Sequence, residues 1–104
     1  MIVYIAGPMK GIKGMNRPAF YAAQDELEEN GYLVLNPAKL PIGMPQTAYL
    51  PICLKMVDQA DVVAMMEGWQ SSEGAKIERA YAQYQGKRIV ELNWLLDKEA
   101  SDWE

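Results

Sequence analysis

Ile2 to Ala6 is an unbroken apolar run of β-branched and aromatic residues, ended by a loop that contains Gly7, Pro8, Gly11 and Gly14. That is the pattern of a strand buried on both faces. Phe20, Ala23 and Leu27 then recur at the spacing of one helical face, with Asn16 as the expected cap, Pro18 in the first turn and Asn30-Gly31 as a left-handed stop. Tyr32–Leu35 reads as a second strand. The stretch from Asn36 to Leu50 carries Pro37, Pro41 and Pro45, and connections of that length are often lids or binding loops. The pattern resumes with a helix predicted over Pro51–Gln59, apolar almost all round at Ile52, Leu54, Met56 and Val57. It implies cover on two sides, by this domain and by a partner subunit. Asp61–Met66 is a third strand, Glu67–Ser71 a connecting loop, and Ser72 the cap of a helix reaching Gln85 before Gly86. Arg88–Leu92 is the fourth strand. The residues after Asn93, with Trp94, Leu95, Leu96 and Trp103, read as a short helix docked on this chain or a neighbour. Strands alternating with helices predict a three-layer α/β/α domain around a short, roughly four-stranded parallel sheet, Rossmann- or flavodoxin-like.

Length and composition narrow the chemistry more than the fold. A chain of 104 residues is one domain's worth, and half of it is apolar with 23% charged, an ordinary globular balance. There is no histidine, which removes Ser-His-Asp and Cys-His mechanisms and histidine metal sites. Cys53 is the single cysteine, so no intrachain disulfide and no multi-cysteine metal site is expected, and a reducing compartment fits. A net charge of −4 argues against a duplex nucleic acid partner but leaves room for one small phosphorylated ligand. The opening MIVYIAGPMKG lacks a charged n-region and breaks at Gly7-Pro8, so neither a signal peptide nor a membrane partner is expected and the predicted location is cytoplasmic.

In an open parallel sheet, ligands sit outside the carboxyl ends of the strands. That rule gathers Gly7, Met9, Lys10 and Gly11 after the first strand, Asn36 after the second, and Glu67, Gly68, Trp69, Ser71 and Ser72 after the third. The turn Gly7-Pro8-Met9-Lys10-Gly11 lets backbone approach a ligand with Lys10 beside it, although glycines in such turns are more often plain turn formers. Ser71-Ser72-Glu73-Gly74 opens a helix, where free N–H groups and the dipole favour an anion; the alternative is an ordinary N-cap. Glu78 is the sharpest signal. Its helical neighbours at i−4, i−3 and i+4 are Gly74, Ala75 and Ala82, so a carboxylate projects from the narrow face that packs on the sheet. Such a group is either used or held by a buried partner such as Lys10 or Tyr4. Trp69 is a stacking platform for a planar base or, more often for a tryptophan in that place, packing.

Tyr4-Ile5-Ala6-Gly7-Pro8-Met9-Lys10-Gly11 together with Gly68-Trp69-Gln70-Ser71-Ser72-Glu73-Gly74-Ala75-Lys76-Ile77-Glu78 resembles the nucleoside 2-deoxyribosyltransferase-like superfamily. The look is nearest to its small, often phage-associated DUF4406-type branch, with 2'-deoxynucleoside 5'-monophosphate N-glycosidases among the relatives. The resemblance implies cleavage of an N-glycosidic bond of a nucleoside or nucleoside 5'-monophosphate, by hydrolysis or transfer, through a glutamate nucleophile that matches Glu78. It implies that Ser72 and Gly74 hold a 5'-phosphate, that Lys10 supplies the first loop's basic residue, and that Tyr4 and Gly7 belong to the same motif, with Met9, Gly11 and Trp69 near the substrate. It calls for no cofactor or metal, and for a homodimer or higher homo-oligomer. One position departs from the pattern: counting eight residues back from Asp61, where the family carries an aspartate, gives Cys53. The general acid is then unassigned among Cys53, Glu67 and water. The other readings are a catalytically weak or inactive nucleotide-binding protein and a phage accessory or interaction protein.

Overall fold

A computed structural model describes residues 1–97; Trp103, part of the predicted tail helix, lies outside the described residues. Four strands, β1 (Ile2–Ala6), β2 (Leu33–Leu35), β3 (Val62–Met65) and β4 (Arg88–Glu91), form one parallel sheet in the order β2-β1-β3-β4. Four helices cover it: α1 (Arg17–Glu29), α2 (Gln46–Gln59), α3 (Glu73–Tyr84) and α4 (Leu92–Leu96). The predicted α/β class and parallel sheet are therefore observed. No helix among the described residues is long and apolar enough to cross a membrane.

The alternation of side chains along a strand sorts the two faces. Val3, Ile5, Val62, Ala64 and Met66 face α1 and α4, joining Phe20, Leu27, Leu92 and Leu95 in one core. Tyr4, Ala6, Val63 and Met65 face the other way, against Cys53 and Val57 of α2 and Ala75 and Ala82 of α3. Central β1 and β3 are sealed on both sides, which explains their continuous apolar runs, whereas edge strand β2 leaves Leu33 largely exposed. Asp61 helps set the β1–β3 register by accepting the Ile2 N–H at 2.8 Å.

Three local expectations are corrected. The second helix begins at Gln46, not Pro51; Pro51 lies inside it, where its missing N–H removes one bond of the ladder. On that helix Cys53 and Val57 are buried while Ile52 is exposed, so the chain itself covers one side only. Asn16 is not a side-chain cap. It adopts a left-handed conformation (φ 58°), and its Nδ2 donates to the Pro8 carbonyl at 2.8 Å, tying the first loop across its base. The fourth strand ends at Glu91, and Leu92 already opens α4, whose Leu92 and Leu95 dock on this chain's own core.

Gly7 is fixed by packing, since a Cβ there would stand 2.7 Å from Met66 Cβ. Gly7→Ala is expected to cost about 1–3 kcal/mol through displaced backbone, read as a lower urea midpoint at unchanged slope.

Candidate functional site

The sheet order switches between β1 and its two neighbours, and the cleft opens there, beyond the carboxyl ends of β1 and β3. It has a volume of about 380 Å³. The loop after β1 supplies one wall with Gly7, Met9, Lys10 and Gly11, the first turn of α2 a second with Gln46 and Tyr49, and the start of α3 a third with Ser71, Ser72 and Gly74. Glu78 also lines it.

Glu78 reaches the cleft because α3 turns its small residues to the sheet. Ala75 and Ala82 pack in the core one turn to either side, and the carboxylate between them is 8% exposed. It makes no ion pair among the described residues, so Lys10 is not its buried counter-ion. Burial pushes its carboxyl up to about 7, an effect only partly offset by hydrogen bonding from Tyr4 and Cys53. Tyr4 comes from the sheet and Cys53 from α2, and both are buried. Burial and the neighbouring Glu78 hold the Tyr4 hydroxyl well above the usual phenol range and push the Cys53 thiol up to about 11. All three groups couple electrostatically, yet the Tyr4 hydroxyl oxygen ends without a hydrogen bond of ordinary geometry.

At the start of α3, Ser72 caps the helix as expected, its Oγ accepting from the Ala75 N–H at 3.2 Å. Ser71 Oγ donates to the Gly68 carbonyl at 2.8 Å. As at any helix start, the first N–H groups, those of Glu73 and Gly74, have no partner within the helix, and the dipole there favours negative charge. Gly74 is helical, and a Cβ there would meet nothing within 4 Å. The fold does not require glycine at this place; the cleft gains the space. Gly74→Ala is expected to stabilise the protein by about 0.5–1 kcal/mol, as alanine is the better helix former, measured by thermal melts.

Other predicted residues lie elsewhere. Trp69 does not line the cleft: it packs against the Tyr4 and Cys53 side of the core, with the Arg79 guanidinium 5.0 Å from its ring centroid and its indole N–H buried without a partner. Asn36 is committed to structure, donating to the Phe20 carbonyl and Gln24 Oε1 and accepting from the Ala38 N–H. Glu67 is exposed and outside the cleft, as Cys53 is buried and outside it. The cleft adds residues the sequence reading passed over: Ile12, Met15, Arg17, Gln46 and Tyr49. Arg17, whose Nε donates to the Ala38 carbonyl at 3.2 Å, is a second cation beside Lys10. Its signal was its place at the head of α1 behind the glycine-rich loop.

No cluster of three or more cysteine, aspartate or glutamate side chains among the described residues could hold a metal ion. The sequence profile of DUF4406, a domain of unknown function, matches residues 1–91. The chain belongs to the DUF4406 family. No curated protein matches it. This DUF4406 protein therefore has to be read from its cleft: one buried carboxylate, two cations and a helix N-terminus on the walls of a single cavity.

Proposed function

We propose that the protein cleaves the N-glycosidic bond of a nucleoside or nucleoside 5'-monophosphate, with Glu78 as the nucleophile. The observation that carries the reading is a buried carboxylate, without an ion pair among the described residues, lining a cleft that also holds a helix start and two basic side chains. An ionised Glu78 oxygen attacks the anomeric carbon, the carbon–nitrogen bond breaks with its electron pair leaving on the base, and solvent protonates that base. Water or a second base then displaces the carboxylate and restores Glu78. The α3 N-terminus, Lys10 and Arg17 suit a 5'-phosphate, and the apolar Ile12 and Met15 suit a base. The resemblance described from the sequence, to the nucleoside 2-deoxyribosyltransferase-like superfamily, supports the same reading. The exposed side of α2 around Ile52 suits the homodimer that resemblance implies.

Chromatographic detection of free base tests the proposal, with a panel of ribo- and deoxynucleosides and their 5'-monophosphates. Release by the wild type and none by Glu78→Gln is the expected result. A panel in which nothing is cleaved, while nucleotide still raises the melting temperature, favours a nucleotide-binding protein instead, a reading that Cys53 in place of an aspartate also favours. Because only the ionised carboxylate attacks, kcat/KM is expected to rise with pH through about 7 and then level off; a rate that falls across that interval contradicts the nucleophile's role.

A further inference from the structure

We propose that Cys53 is a positioning residue for Glu78, a thiol sealed behind the cleft that gives its S–H to the carboxylate and is not the proton donor to a departing base. The catalytic consequence rests on the glycosidase reading, whereas the contact itself does not.

Three polar side chains converge on the face of the sheet covered by α2 and α3. Tyr4 arrives from β1, Cys53 from α2 and Glu78 from α3, each from an element packed against the other two. Of the three, Glu78 alone lines the cleft. Tyr4 is fully buried and Cys53 is 5% exposed, so neither meets a ligand lying in the cavity. A proton donor to a leaving group must come within hydrogen-bond reach of it, which Cys53 does not.

The count of donors and acceptors at this spot shows what the thiol does. Tyr4 brings one hydroxyl hydrogen and Cys53 one thiol hydrogen, and Glu78 is the acceptor they share. The Tyr4 hydroxyl, buried and without a hydrogen bond of ordinary geometry, is a donor still in search of its acceptor. A protonated Glu78 would add a third hydrogen to the group, whereas an ionised one offers lone pairs for both donors. Burial opposes ionisation; the two donors favour it. The charged groups around Glu78 do not take over that task. Lys10 lines the cleft from the first loop, Arg17 from the head of α1 and Glu73 from the start of α3, but none forms an ion pair with Glu78. The side chains flanking Glu78 on its own buried face, Ala75 and Ala82, are apolar. The groups placed to favour the ionised carboxylate are therefore neutral, and Cys53 is the one contributed by α2.

The test follows the Glu78 carboxyl by carbon-13 NMR on glutamate-labelled protein, its resonance assigned by its disappearance in Glu78→Gln. Near-ultraviolet circular dichroism establishes that each variant is folded. Cys53→Ala removes the donor and is expected to raise the Glu78 midpoint by about one pH unit; Cys53→Ser supplies a stronger donor and is expected to lower it. Equal midpoints in wild type, Cys53→Ala and Cys53→Ser overturn the proposal. Base release adds a readout that separates the two roles. A positioning role moves the acid limb of the pH–rate profile in Cys53→Ala and preserves the rate on its plateau. Loss of rate at every pH, recovered with a substrate bearing a better leaving group, assigns Cys53 as the proton donor and overturns the proposal. Failure of the glycosidase reading appears separately, as no release by any protein, and leaves the NMR comparison decisive.

Discussion

Glu78→Gln is expected to melt well above the wild type at pH 8 and level with it at pH 4. In the folded protein burial raises the carboxyl to about 7, against 4.5 ordinarily. Between those values the folded state binds a proton that the unfolded chain has released, so the contribution of Glu78 to stability is whole below about 4.5 and is lost as pH rises through about 7. The full difference corresponds to about 3 kcal/mol at pH 8, a large part of the ~5–15 kcal/mol typical of a domain. Glutamine keeps the shape and carries no charge, so it escapes that loss. For a domain of this size the gain amounts to a melting temperature higher by roughly 10–20 °C. Thermal denaturation across pH 4–9 checks it: the gap must open with pH. A gap that stays constant would mean that Glu78 is not held in a desolvated site. A residue whose removal stabilises the fold in this way is retained for something other than the fold.

The second large effect is expected at Cys53→Asp, which puts a carboxyl beside Glu78 on the same buried face. Two carboxylates in one desolvated place share a proton, one ionising with more difficulty than it would alone. At pH 8, where the second must also ionise, the variant is expected to lose roughly 3–5 kcal/mol, the usual cost of an uncompensated buried charge. At pH 3, below the ordinary aspartate value of about 3.9, the deficit should shrink to that of Cys53→Asn, the neutral control of the same shape. Urea denaturation at the two pH values gives the comparison. A pH-independent deficit would mean that position 53 does not face Glu78.

Much of this was legible because one-dimensional patterns record burial directly. The apolar run Ile2–Ala6 is β1 residue for residue, and Ser72 followed by small residues at 74, 75 and 82 marked both the cap of α3 and the buried Glu78. What escaped depends on tertiary context. Pro51 looked like a helix start, since proline fits the first turn, yet α2 carries it internally and begins five residues earlier. That displacement hid Gln46 and Tyr49, which the first turn brings into the cleft. Asn16 has a cap's composition but spends its side chain on the Pro8 carbonyl. Trp69 has a ligand platform's composition but stands on the core side of its loop under Arg79. Neither choice is written in local sequence, because each depends on where a distant loop comes to rest.

The proposed attack of Glu78 on an anomeric carbon can be caught by intact-protein mass spectrometry. The enzyme is quenched with acid during turnover of whichever panel compound releases base fastest, and a peptide digest then locates any added sugar. A glycosyl adduct is expected on the peptide carrying Glu78, and none in Glu78→Gln. Base release that proceeds at full rate in Glu78→Gln, or an adduct that maps to another residue, would contradict the proposal.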